Sequence, residues 1–249
     1  MVNKRIKIRP YLIVLMILII APACIPDQMK ESPTGLSDYP DKGYYKMDTE
    51  TILNSLDQGE ANVFTPILAT PEAYEYLYTE PFPWKQSDYL KVADALHRYV
   101  WGETLDGWSV YNLLFYGDCR NDRVGLDHAK ITYFKAVGAQ DYTAREIDIA
   151  PLFGEADAGG GANFPRPLFG WNSINLKGLK VTADDVLGIA ERNGGDKARL
   201  AVENACRVFI TLMPSASRKG WLVSYYSNTS AKTIFEIAID PYTGWYLPP

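Results

Sequence analysis

Polar and apolar residues change rhythm several times along the chain, and each change marks an element. Residues 1–10 hold four cations, Lys4, Arg5, Lys7 and Arg9, and no acid. Tyr11–Ile20 is then unbroken apolar chain, closed by Ala21-Pro22-Ala23-Cys24. From 25 to 47 the sequence is polar, interrupted by Pro and Gly, and has no period. A helix is expected from Ser87, with Leu90, Ala93, Leu96, His97 and Val100 at helical spacing and Gly102 closing it. Three strand-like runs follow: Trp108–Tyr116, Lys130–Val137 and Tyr142–Ile149. A similar order then returns. Thr182 caps a helix with Asp185 three residues on, Val186, Ile189 and Ala190 form its apolar face, and Gly194-Gly195 stop it. A second helical stretch is expected over Asp196–Ala205, then strands over Arg207–Met213, Trp221–Tyr226 and Thr233–Ile239.

Repeated punctuation supports this reading. Glu146-Ile-Asp-Ile-Ala-Pro151-Leu-Phe-Gly154 and Glu236-Ile-Ala-Ile-Asp-Pro241-Tyr-Thr-Gly244 share Glu-Ile-x-Ile-x-Pro-x-x-Gly. Each begins as an alternating strand and ends in a turn, because proline cannot continue a central ladder and glycine reaches backbone angles closed to other residues. The expected fold class is therefore α+β: two units, each a helix with a three-stranded antiparallel sheet, packed together. The alternative is a single irregular α+β domain. The expected boundaries are 1–23 for an export signal, 24–47 for a tether and 48–86 for a helical or irregular segment. The first unit covers 87–154, a connector 155–181 and the second unit 182–249.

The stretch Val181–Gly195, with Trp221-Leu-Val-Ser-Tyr225 and Ile237-Ala-Ile-Asp-Pro-Tyr-Thr-Gly244, resembles a PepSY-type domain. The resemblance covers about 65 residues and implies a helix over a small antiparallel sheet, a PepSY/cystatin-like unit. It also implies an extracytoplasmic, non-catalytic module of a kind sometimes associated with restraining peptidases, and it brings no catalytic residues. Over its whole length the chain resembles exported bacterial lipoproteins.

The N-terminus sets the expected location. A basic start, about ten apolar residues and small residues at the cut make a secretory signal. The apolar run is too short to span a bilayer comfortably, which takes about 20 residues. Cys24 directly after Ala23 resembles a lipoprotein box, so the expected product carries a lipid such as palmitate on Cys24 and sits on the extracytoplasmic face of the cell membrane. Cleavage after Ala23 by the general signal peptidase would instead release a secreted protein. Removing the leader takes four of the chain's 25 cations and none of its 30 acids, which leaves 21 against 30 and a net charge of −9. Such a chain repels phosphates on average and has no basic stripe, so nucleic acid is not an expected partner.

Candidate chemistry is sparse. Cys119 and Cys206 remain after the anchor, and in an exported protein two thiols pair more often than they stay free. A bond between them would staple the halves and contribute roughly 4 kcal/mol. Two separately buried thiols are the alternative. His97 lies on the apolar side of its helix, where a satisfied core histidine is expected, and His128 reads as a surface residue at a strand start. No zinc or nucleophile motif occurs in the sequence, so neither a metal nor a cofactor is expected. Asp184-Asp185 reads as helix capping. Glu155 and Asp157 beside Gly159-Gly160-Gly161 read as a flexible connector. Tyr74 and Tyr76 alternate, and with Trp84 and Trp108 they form a candidate aromatic binding face, or else the inner face of a strand. Asn228-Thr-Ser230 matches a glycosylation sequon by pattern only.

These features point to a non-enzymatic, lipid-anchored protein that binds a protein or peptide partner at the cell surface. A carbohydrate- or envelope-polymer-binding module and a carboxylate-based hydrolase are the alternatives.

Overall fold

The computed structural model describes residues 43–67, 77, 82–120, 123–138, 141–165, 173–214 and 219–247. The signal segment and Cys24 lie outside the described residues. Tyr39–Pro249 is one compact unit.

The chain starts with strand β1 (Gly43–Met47), helix α1 (Ile52–Asp57) and strand β2 (Phe64–Ile67). Helix α2 (Gln86–Trp101) leads into β3 (Ser109–Arg120), the short β4 (Arg123–Val124), β5 (His128–Ala136), β6 (Asp141–Ala150) and β7 (Glu155–Pro165). Helices α3 (Ala183–Ala190) and α4 (Asp196–Leu200) precede β8 (Cys206–Pro214), β9 (Lys219–Ser227), β10 (Lys232–Ile239) and β11 (Tyr246–Leu247). All the strands belong to one sheet, in the order β11-β10-β9-β8-β3-β5-β6-β7-β1-β2, with β4 beside β3. Every pairing among them is antiparallel.

This overturns the expectation of two helix-plus-three-stranded units. The sheet is continuous, because β3 and β8 pair directly from Leu113↔Leu212 to Asp118↔Arg207. It is also wider than expected at both ends. Residues 43–47, expected in the tether, pair with β7 as β1. The expected connector contributes β7, which pairs with β6 along its length. Its glycines hid it from a propensity reading, yet Gly160 is where the Trp101 indole comes down on the sheet: a Cβ there would sit 3.4 Å from that ring.

One face of the sheet carries the core. Leu113, Phe115, Ile131, Tyr133, Ile147, Ile149, Val208, Ile210, Trp221 and Val223 are buried. They share their core with Tyr89, Val92 and Leu96 of α2 and Val186 and Ala190 of α3. Period-two alternation delivers these residues to one side, and the helices close it.

The two helices lock together at their N-termini. Gln86 N donates to Asp184 Oδ2 at 2.9 Å, and Ala183 N donates to Gln86 Oε1 at 2.8 Å. Each helix thus fills an orphan donor of the other. Asp185 closes the capping box with Thr182. The aspartate pair caps two helices rather than one. At α2 the expected Ser87 cap is displaced upstream, where Lys85 N donates to Asp88 Oδ2 at 2.8 Å, while Gly102 closes the helix in the left-handed region as expected. The helix expected to Ala205 stops at Leu200 and continues as turns.

The repeated Pro-x-x-Gly punctuation has a common geometry. Gly154 (φ 62°) follows β6 and Gly244 (φ 76°) follows β10, each in left-handed backbone that suits glycine, and each turn leads into an antiparallel neighbour.

Candidate functional site

Most residues singled out from the sequence serve the framework. Cys119 and Cys206 are bonded, with Cα atoms 5.2 Å apart, at the end of the β3–β8 ladder. Trp84 is buried and packs on Tyr89 and Phe82, so it faces the core rather than a ligand. Trp108 is half-buried. Tyr74 and Tyr76 lie outside the described residues. The sequon residues close the β9–β10 turn: Asn228 N donates to Ala205 O, and Thr229 Oγ1 lies 3.0 Å from Ser227 Oγ.

His97 is a buried core histidine with both ring nitrogens engaged. Nδ1 lies 3.1 Å from the Glu103 carbonyl oxygen, which only accepts, so Nδ1 carries the proton. Nε2 then accepts from Arg145 Nη1 at 2.8 Å. The guanidinium of Arg145 lies 4.4 Å from the Trp101 ring centre and 4.2 Å from that of Trp108, with Glu103 Oε1 at 2.5 Å from Nη2. Burial, with a further contribution from Arg145, pushes the His97 pKa down, and the bond from Arg145 holds the Glu103 carboxyl below its usual range. This constellation ties α2 to β6.

A different group gathers on the opposite face of the sheet. Asp148 of β6 sits opposite Asp157 of β7, and Asp157 in turn sits opposite Tyr44 of β1. Glu155 is two residues from Asp157 and so on the same side. His128 of β5 sits opposite Tyr116 of β3, and Tyr116 opposite Phe209 of β8. The His128 and Tyr116 rings are stacked at 4.6 Å and 11°, close to the spacing between strands, and Phe209 extends the row at 6.0 Å. Tyr44, Tyr116, His128, Asp148, Glu155 and Asp157 line a cleft of about 130 Å³.

The electrostatics of this cleft are negative. Lys130 lies 3.2 Å from the buried Glu146 and 3.9 Å from Asp148, and Lys46 of β1 sits opposite Glu155, so two cations flank Glu146, Asp148, Glu155 and Asp157. Burial raises the Glu155 pKa, with Lys46 opposing. Burial lowers that of His128 to about 4, so its imidazole is neutral near pH 7 and adds no positive charge. Among the described residues, no group of three His, Cys, Asp or Glu side chains is placed to hold a metal ion. The arrangement suits a cation or a hydrogen-bond donor flanked by aromatic faces. By local pattern alone Glu155 and Asp157 read as part of a flexible connector, whereas the structure places both on β7. The signal was the acid spacing on both sides of the Pro151–Gly154 turn, Glu146/Asp148 before it and Glu155/Asp157 after it.

Two other surfaces stand out. A groove of about 640 Å³ runs between the 59–64 segment and α2, with Asp94 and Arg98 paired across one turn of the helix at its rim. At the far end of the sheet the turn after β10 is held rigidly. Asp240 Oδ1 accepts from Tyr242 N and Thr243 N, both at 2.8 Å, and these bonds hold its carboxyl below the usual range. Asp240 N donates to Trp245 O, and Gly244 N to Asp240 O. Yet the turn leaves Tyr242, Trp245 and Tyr246 48%, 76% and 57% exposed.

The sheet edges are blunted. The outermost strands are short: β2 has four residues and carries Pro66, which has no N–H, and β11 has two.

No family model matches the chain, and neither a curated protein nor a solved structure matches it.

Proposed function

We propose that the chain is a non-enzymatic, lipid-anchored exported protein that receives a basic side chain of a protein or peptide partner in the carboxylate–tyrosine cleft. The convergence of Asp148, Glu155 and Asp157 with Tyr44, Tyr116 and His128 carries the reading. Carboxylates pair with an ammonium or guanidinium, and tyrosine faces attract the same cation. Size points the same way: about 130 Å³ holds one side chain, whereas small-molecule sites run from about 300 Å³ upward. A disulfide is at home in an extracytoplasmic protein, which supports export. The resemblance of Val181–Gly244 to PepSY-type modules belongs to the same proposal. Among the described residues no helix is long and apolar enough to cross a membrane, and the proposed anchor is the acylated Cys24.

Two measurements test this. Titration with lysine- and arginine-containing peptides should show binding that weakens as salt rises, since charge pairs at a surface cleft are screened. Asp148→Asn with Asp157→Asn should weaken it by about tenfold or more, roughly 1.4 kcal/mol or above. Equal binding of a neutral peptide, or an unaffected variant, overturns the cleft reading. For the anchor, mass spectrometry of native protein should find Cys24 acylated and N-terminal, and a mature N-terminus without lipid would refute it.

A second reading, the carboxylate hydrolase, draws on the raised pKa of Glu155 beside Asp157, a pairing that can separate an acid from a base. Turnover of a glycan or ester by the wild type, lost in Glu155→Gln, would select it over binding alone.

A further inference from the structure

The structure assigns a second contact surface, distinct from the cleft: we propose that the Asp240–Leu247 turn docks this protein on an anionic lipid surface. Three large aromatic side chains within five residues, Tyr242, Trp245 and Tyr246, project into solvent. A folded chain normally buries such rings, and an exposed group of them marks a contact surface. They are not loose. The Asp240 carboxylate, the Asp240–Trp245 backbone bond and the left-handed Gly244 fix the turn that presents them, so little conformational freedom is lost on contact.

The chemistry around the turn selects the partner. Lys180 N and Val181 N both donate to Pro241 O, which straps the 176–181 segment to the turn, and Gly178 lies against the Tyr242 ring. Lys177 and Lys180 on that segment are exposed. Asp240, the turn's own acid, is occupied by two backbone N–H groups. The patch thus joins the turn that carries the exposed rings to a segment with two exposed lysines, in a mature chain of net charge −9. Tyrosine and tryptophan rings sit at headgroup depth with an apolar body and a polar tip, and lysine stems reach to the phosphates. Elsewhere the excess of acids repels an anionic bilayer, so charge alone orients this end of the sheet toward it. This inference goes beyond the cleft reading and needs no acyl group on Cys24.

The test uses the Tyr39–Pro249 fragment, which is one compact unit containing the described core and lacks the leader and Cys24. It is sedimented with vesicles of phosphatidylcholine alone, or with about one third phosphatidylglycerol. The fragment should pellet with the anionic vesicles and much less with the neutral ones. Trp245→Ala should reduce binding to both compositions by about fivefold or more, since the ring contributes apolar area as well as anchoring. Lys177→Glu with Lys180→Glu should remove the preference for anionic lipid by about tenfold or more. The charge variant alters only exposed side chains, and an unchanged thermal midpoint establishes that it folds. A fragment that stays in the supernatant with both vesicles, or charge variants that pellet like the wild type, overturns the proposal. So does a Trp245→Ala variant that loses only peptide capture, which would make the turn a protein contact. The Asp148 and Asp157 variants should bind vesicles normally, so failure here is separable from failure of the cleft.

Discussion

Replacing both Cys119 and Cys206 by Ser should lower the stability of the folded chain by about 4 kcal/mol, seen as a drop of about 2 M in the urea midpoint. The bond spans 87 positions and closes a loop that contains β4 to β7, α3 and α4. In the unfolded chain that closure removes a large share of the accessible conformations, which is the main source of the gain in the chain-entropy model. In the folded chain it sits where the two halves of the sheet meet, at the end of the β3–β8 ladder. Both residues are buried, so a single replacement leaves a thiol beside a hydroxyl in the core and should cost at least as much as the double one. Equilibrium unfolding of wild type and double variant, each without reductant, measures the difference. A change of less than about 1 kcal/mol would mean that the unfolded chain is already restrained at this junction.

Acid should destabilise the protein earlier than its carboxylates alone would allow, because both histidines are held neutral. Burial lowers the pKa of His128 from 6.5 to about 4 and also lowers that of His97. The unfolded chain therefore binds more protons than the folded one between pH 6.5 and the folded values, and stability falls as pH falls through that window. It is fully present above pH 6.5. For His128 alone the shift corresponds to as much as about 3 kcal/mol lost by pH 4. His97 adds to this in the same direction. Its protonated ring would present N–H to the Arg145 N–H it now accepts from, so the α2–β6 tie breaks. Below about pH 4 the depressed Glu103 and Asp240 carboxyls contribute a further loss as they take up protons. His128→Phe keeps a ring against Tyr116 and Phe153 and removes the titrating group. Its thermal midpoint should change less between pH 7 and pH 4 than that of the wild type. Parallel curves for the two proteins would assign the acid sensitivity elsewhere.

Six strands read from alternation lie where the structure has β3, β5, β6, β8, β9 and β10, within a few residues at each end. The signal was strong there because one side of each strand meets the helices and the other does not. It failed for β1 and β7. Tyr44 and Tyr45 stand in a polar stretch broken by proline and glycine, and Gly159-Gly160-Gly161 has no strand propensity of its own. Both strands exist because β6 offers an edge that β7 completes, and β7 offers one to β1. Cross-strand pairing is a long-range contact, and local pattern does not encode it.

The cleft was hidden for the same reason. Glu155, Asp157, Asp148 and His128 were each visible, but Tyr44 and Tyr116 are 72 positions apart in sequence and meet only through four strand pairings. The sequence by itself determined what depends on neighbours a few residues away: the period of the strands, the caps at Thr182 and Gly102, and the two Pro-x-x-Gly turns. Tertiary structure alone decided that the halves share one sheet, that Trp84 is core, and that three acids face one another across β6 and β7. Those outcomes turn on which strand edge finds which partner, and that choice is made by burial over the whole chain rather than by any segment of it.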